Sequence, residues 1–123
     1  MTDGTRSRSS RAGAYPGSWL AIKLGIEPRE LDVRRRSGEL LAVRSQDGRD
    51  YLYPAWQFDA NGRPYVAVAR VVAAGRAAGL TDDELFDLLE RRDGMTSTRR
   101  LWEYVRDGRE ERVLDVIRTA PRS

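Results

Sequence analysis

Arginine is the side chain on which the chemistry of this chain turns. Of its 22 basic residues in 123, all but Lys23 are arginines, and there is no histidine and no cysteine. Triads built on Ser-His-Asp, thiol nucleophiles, disulfides and His/Cys metal sites are thereby excluded. What remains is the guanidinium fork, which suits phosphate oxygens and guanine. Arg29, Arg34, Arg35 and Arg36 crowd one short stretch against Glu30 and Asp32, an excess of two positive charges. Arg44 and Arg49 then flank an Asp47-Gly48 pair. Two other groupings invite chemistry and do not carry it. Asp82, Asp83, Glu84 and Asp87 resemble a metal-binding carboxylate cluster, but they open a helix behind Thr81, where dipole matching and capping account for them. Gly75-x3-Gly79 lacks the Gly-Lys-Ser/Thr of a phosphate loop. No nucleophile is paired with a base, so no catalytic residue, metal site or cofactor is expected, and the chain reads as a non-enzyme.

The elements that must position those arginines follow from local signals. Ser18 to Gly25 reads as a short helix, with Ser18 as N-cap and Gly25 as the stop. A second helix runs from Pro28 in its first turn to Gly38 at its end. Ala21, Gly25 and Leu31 occupy the small, turn and branched-apolar positions that a helix-turn-helix requires, and Leu24 and Leu31 share its buried side. Residues 39–44 read as a strand, residues 45–48 as a hairpin turn, and residues 50–53 as the return strand, ended by Pro54. Tyr51, Tyr53, Trp56 and Phe58 are expected in the core. Residues 59–64 form a loop and the expected module boundary.

Beyond that loop the period is helical. Val68, Val71, Val72 and Gly75 form one stripe, and Leu85, Leu88 and Leu89 a second behind the Thr81 capping box. Leu101, Trp102 and Val105 make a third, stopped by Gly108, and Val113, Val116, Ile117 and Ala120 a fourth. The expected organisation is a disordered basic arm over 1–14, a winged helix-turn-helix over 15–60 and a helical association module over 61–123. The fold class is mainly α with a small β-hairpin wing.

Leu20-Ala21, Leu24-Gly25-Ile26, residues 33–43 and residues 51–58 together resemble the MerR/excisionase type of winged helix-turn-helix. The resemblance implies sequence-directed binding of duplex DNA, with the second helix in the major groove and the hairpin as wing. It implies base or phosphate contacts for Arg29, Arg34, Arg35 and Arg36, and a backbone contact for Arg44. Residues 99–114 are similar to the C-terminal helical segment of Xre/MbcA/ParS-type antitoxins, with 92–98 in place of the Pro- and Asn-rich loop usual there. That second resemblance implies a cognate toxin as partner.

Two functions stay open at this level. One is a DNA-binding transcriptional regulator, which includes an antitoxin repressing its own operon. The other is a protein-interaction module whose arginines only solvate it. For the first, the candidate contacts are Arg29, Arg34, Arg35, Arg36, Arg44 and Arg49. A homodimer is expected, because one winged module reads only one half-site. No apolar run approaches the length of a membrane helix, so a cytoplasmic, nucleoid-associated protein is expected.

Overall fold

The computed structural model describes residues 13–94 and 97–119. Most of the expected basic arm, with Arg6, Arg8 and Arg11, lies outside the described residues, as does Ala120. Within them the chain is mixed α/β, with six α-helices and one three-stranded antiparallel sheet. No helix among the described residues is long and apolar enough to cross a membrane.

Strand β1 (Ala14–Pro16) leads directly into α1 (Gly17–Leu24), and α2 follows at Pro28–Ser37. The corner between the helices is set by Gly25 at φ 70°, with its N–H donating to Ile22 and the Ile26 N–H donating 3.0 Å to Ala21. Only a residue without a Cβ adopts that left-handed conformation at no steric cost. Ala21 and Leu31, 1% and 2% exposed, fill the angle between the two helices. The second helix starts with Pro28 in its first turn and stops at Gly38, φ 89°, as expected. The start of α1 differs: Pro16, not Ser18, is its N-cap, and no side chain caps it. The reason is β1, which delivers the chain to the helix already extended.

That strand is the main departure from the expected hairpin. Strands β2 (Val43–Arg44) and β3 (Tyr51–Pro54) pair as foreseen, but β3 is central, in the order β1-β3-β2. Tyr15 lies opposite Tyr53, and Ala14 opposite Pro54. Ala14, assigned to the arm, is therefore in the sheet, and Pro54 is still paired on its β1 side.

Residues 39–42 do not join the ladder. Instead the buried Gln57 side chain accepts from the Leu41 N–H at 2.9 Å and donates to the Leu41 carbonyl at 2.8 Å. One amide thus stands where a neighbouring strand would, so the backbone stays satisfied without sheet pairing. The apolar run still divides between two faces as a strand would: Leu40 enters the cluster of Leu20, Leu31 and Tyr53, whereas Leu41 enters the large cluster of the later helices.

Those helices are α3 (Val66–Ala77), α4 (Asp82–Leu89), α5 (Leu101–Arg106) and α6 (Glu111–Thr119). Their stripes bury as spaced, with Val68, Val71, Val72, Leu85, Leu89, Val105 and Val113 at 1% exposure or less. Thr81 and Glu84 exchange the two hydrogen bonds of a capping box. A short 3-10 turn (Ala55–Gln57) carries Trp56 onto Trp102 of α5, their rings 5.6 Å apart.

Candidate nucleic-acid interface

Helix α2 and the β2–β3 hairpin carry the six candidate arginines, and the phase of the helix separates the four it holds. Leu31 is buried, and each residue advances about 100°. Arg34 and Arg35 therefore flank the buried side. Arg29, Val33 and Arg36 fall within about 60° of one another on the opposite side. The exposures agree: Val33 is 51% exposed, and Arg29 and Arg36 are exposed.

The inner arginines are engaged. Arg34 Nη2 donates to Glu30 at 2.6 Å, and Arg35 reaches Asp32 at 3.5 Å. The Arg35 guanidinium lies 3.8 Å from the centre of the Tyr51 ring, and only 16% of its side chain is exposed. Burial pushes the neighbouring Tyr53 hydroxyl up to about 12, and the positive charge of Arg35 opposes that shift. Arg35 thus fastens the helix to the sheet. Because Arg34 and Arg35 take up Glu30 and Asp32, the outer face is left with Arg29 and Arg36. Neither has a carboxylate partner among the described residues, and the Arg36 Nε makes only a long 3.4 Å contact to the Asp32 carbonyl.

The β2–β3 hairpin is braced in the same way. Arg44 Nη1 donates to the Gly48 carbonyl at 2.9 Å, and its guanidinium lies 5.4 Å from the Tyr51 ring. Its backbone N–H donates to Asp83 of α4. Asp47 accepts from the Ser45 hydroxyl at 2.6 Å and from the Arg49 N–H at 3.0 Å, which holds its carboxyl below the usual range. The Arg49 side chain is left exposed at the tip, with no carboxylate partner among the described residues. The six candidates thus divide. Arg29, Arg36 and Arg49 are open, Arg44 is exposed but folded over its turn, and Arg34 and Arg35 are committed to internal contacts.

Sequence reasoning missed two residues that set this geometry. Arg76 of α3 donates to the Arg36 carbonyl at 2.9 Å and the Arg35 carbonyl at 3.0 Å, and it pairs with Asp82 at 2.9 Å. It caps the end of α2 from across the fold, and no local spacing announces it. Tyr51, expected in the core, is half-buried and serves as the plate beneath Arg35 and Arg44. Its place opposite Arg44 in the hairpin register was the available signal.

Beside known folds, the helix corner, the β2–β3 hairpin and their brace find a likeness. The fold resembles that of Rv2175c. The NMR structure of Rv2175c superposes with a TM-score of 0.70 over 85% of this chain and 77% of that one, at 21% identity. At that identity the likeness is one of fold. No family model matches the sequence, and no curated protein matches it.

Proposed function

We propose that this chain is a duplex-DNA-binding transcriptional regulator of the winged helix-turn-helix kind. In this reading α2 enters the major groove, Arg29 and Arg36 contact bases and phosphates, and Arg44 and Arg49 hold the backbone from the wing. The observation that carries it is the outer face of α2. Two arginines without carboxylate partners among the described residues project from a helix that Gly25, Tyr51 and Arg76 hold in place. A helix of that diameter fits the groove, and open guanidinium groups there find both phosphate and guanine. The MerR/excisionase resemblance of residues 17–60 supports the same docking. Function as a homodimer on two half-sites belongs to this reading.

Partner binding is the second reading, and autorepression by an antitoxin would combine the two. It is favoured by α5, Gly108 and α6, which supply the helix, glycine stop and final helix of the antitoxin-like segment.

A salt series of binding titrations on random and promoter-derived duplexes tests the proposal. With about four outward arginines, log K should fall against log salt with a slope of about −2 to −4. Absence of binding at 50 mM salt, or a flat dependence, would replace DNA binding with the partner-binding reading.

A further inference from the structure

Val33 sits in the middle of the exposed face of α2, between Arg29 and Arg36, and 51% of it is open to water. A single exposed apolar residue is ordinary on a protein surface. Its setting here is not accounted for by the fold. Valine is a middling helix former, the rest of that face is polar or charged, and Leu31 already supplies the helix's buried contact. Along the helix axis Val33 is about 6 Å from Arg29 and about 4.5 Å from Arg36. Base pairs rise about 3.4 Å each, so a helix lying in the groove would set Val33 against a pair between those the two arginines reach. The apolar feature that a base edge presents in the major groove is the C5-methyl of thymine.

We infer that Val33 is a specificity-determining residue that reads a thymine methyl, at a T·A pair flanked by the arginine contacts. The inference rests on the DNA-binding reading and deepens it. Arginines alone favour guanine and phosphate, whereas Val33 adds a preference that no charge can supply. One buried methyl corresponds to about fourfold in affinity.

The test uses the duplex enriched from a randomised pool, with each thymine replaced singly by deoxyuridine, which removes only the methyl. The wild-type protein should bind one such duplex about three- to fivefold more weakly than its parent. Val33→Ser should bind parent and uracil duplexes equally at that position, with unchanged random-duplex affinity and melting temperature. Equal wild-type binding to every uracil duplex, a Val33→Ser protein that still senses the methyl, or a pool with no enrichment overturns the inference and leaves DNA binding standing. Failure to bind any duplex overturns both.

Discussion

The two halves of the molecule use arginine in opposite ways. In the later half arginines act as bolts: Arg70 joins Glu110 at 2.6 Å, Arg99 joins Asp107 at 2.6 Å, and Arg112 joins Asp93 at 2.6 Å. Arginines there without an ion pair among the described residues, such as Arg91, Arg92 and Arg109, lie outside the helices. On α2 the inner arginines are bolts too, but Arg29 and Arg36 repeat on one outward helical face. Surface ion pairs contribute only modestly to stability. The lesson is therefore about direction: a guanidinium already satisfied by the protein has little left for phosphate, and an open one on a rigid helix does.

The largest expected effect tests the joint between the halves. Gly38 combines a φ of 89° with crowding, since a Cβ there would lie 3.3 Å from Arg76 Nη1 and 3.5 Å from Val72. Gly25 has the same kind of φ with nothing within 4 Å of its would-be Cβ. Gly38→Val should cost about 2–4 kcal/mol, from backbone strain plus overpacking, and Gly25→Val about 1–3 kcal/mol from strain alone. Urea midpoints check the order. Equal costs would mean that Arg76 and Val72 do not crowd the end of α2.

Next comes the division among the arginines themselves. Arg29→Ala should weaken cognate DNA by about 1–3 kcal/mol and leave the melting temperature unchanged. Arg36→Ala should reduce the salt slope by about one. Arg35→Ala should instead lower stability, by about 1–2 kcal/mol, because it removes the guanidinium from Tyr51 and a bond to Asp32. Titrations and thermal melts on the three variants separate the roles. If Arg35→Ala leaves stability intact and abolishes binding, the inner and outer assignments are reversed.

Arg76 sharpens the comparison further, because it belongs to the bolted half and acts on the open one. Arg76→Ala should cost about 1–2 kcal/mol of stability through its lost bonds to the end of α2 and to Asp82. Binding should weaken as α2 loosens, while the salt slope stays at the wild-type value, since Arg76 touches no phosphate. A reduced slope would make Arg76 a direct contact.

What the sequence made legible was local. The helix corner is written in Gly25, Pro28, Leu31 and Gly38, all within two turns of the residues they act on. The later helices are written in stripes at 3.6-residue spacing, and the Thr81 box in four adjacent residues. Strand β1 was not legible, because Ala14–Pro16 is too short to alternate and its partner lies far along the chain. Residues 40–43 form an apolar run like that of a strand, and only the folded chain shows Gln57 standing in for the ladder. The candidate site was half legible. The arginine cluster stood out, but sorting inner from outer required the phase set by Leu31, and the brace from Arg76 depends on packing between distant helices.

The smallest expected effect lies within the bolted half and concerns pH. Asp93 is held below the usual carboxylate range, first by Arg112 and then by the Tyr104 hydroxyl, which donates at 2.7 Å. Glu90 is raised by burial, which the charge of Arg100 partly offsets. The two have opposite signs. A carboxyl depressed in the folded state stabilises above its unfolded value, and that contribution disappears as pH falls through the folded one, here from about pH 4 downward. A raised carboxyl stabilises while protonated, so the contribution of Glu90 is lost as pH rises through its folded value. Asp93→Asn should therefore lower the melting temperature at pH 7 and flatten its fall below pH 4, whereas Glu90→Gln should raise it at pH 7 relative to pH 3. Neither should alter the salt slope of DNA binding, because both carboxylates lie in the half that holds its arginines to itself. A change in slope in Asp93→Asn would mean that Arg112, once released, joins the interface, and the boundary between bolted and open arginines would have to be drawn elsewhere.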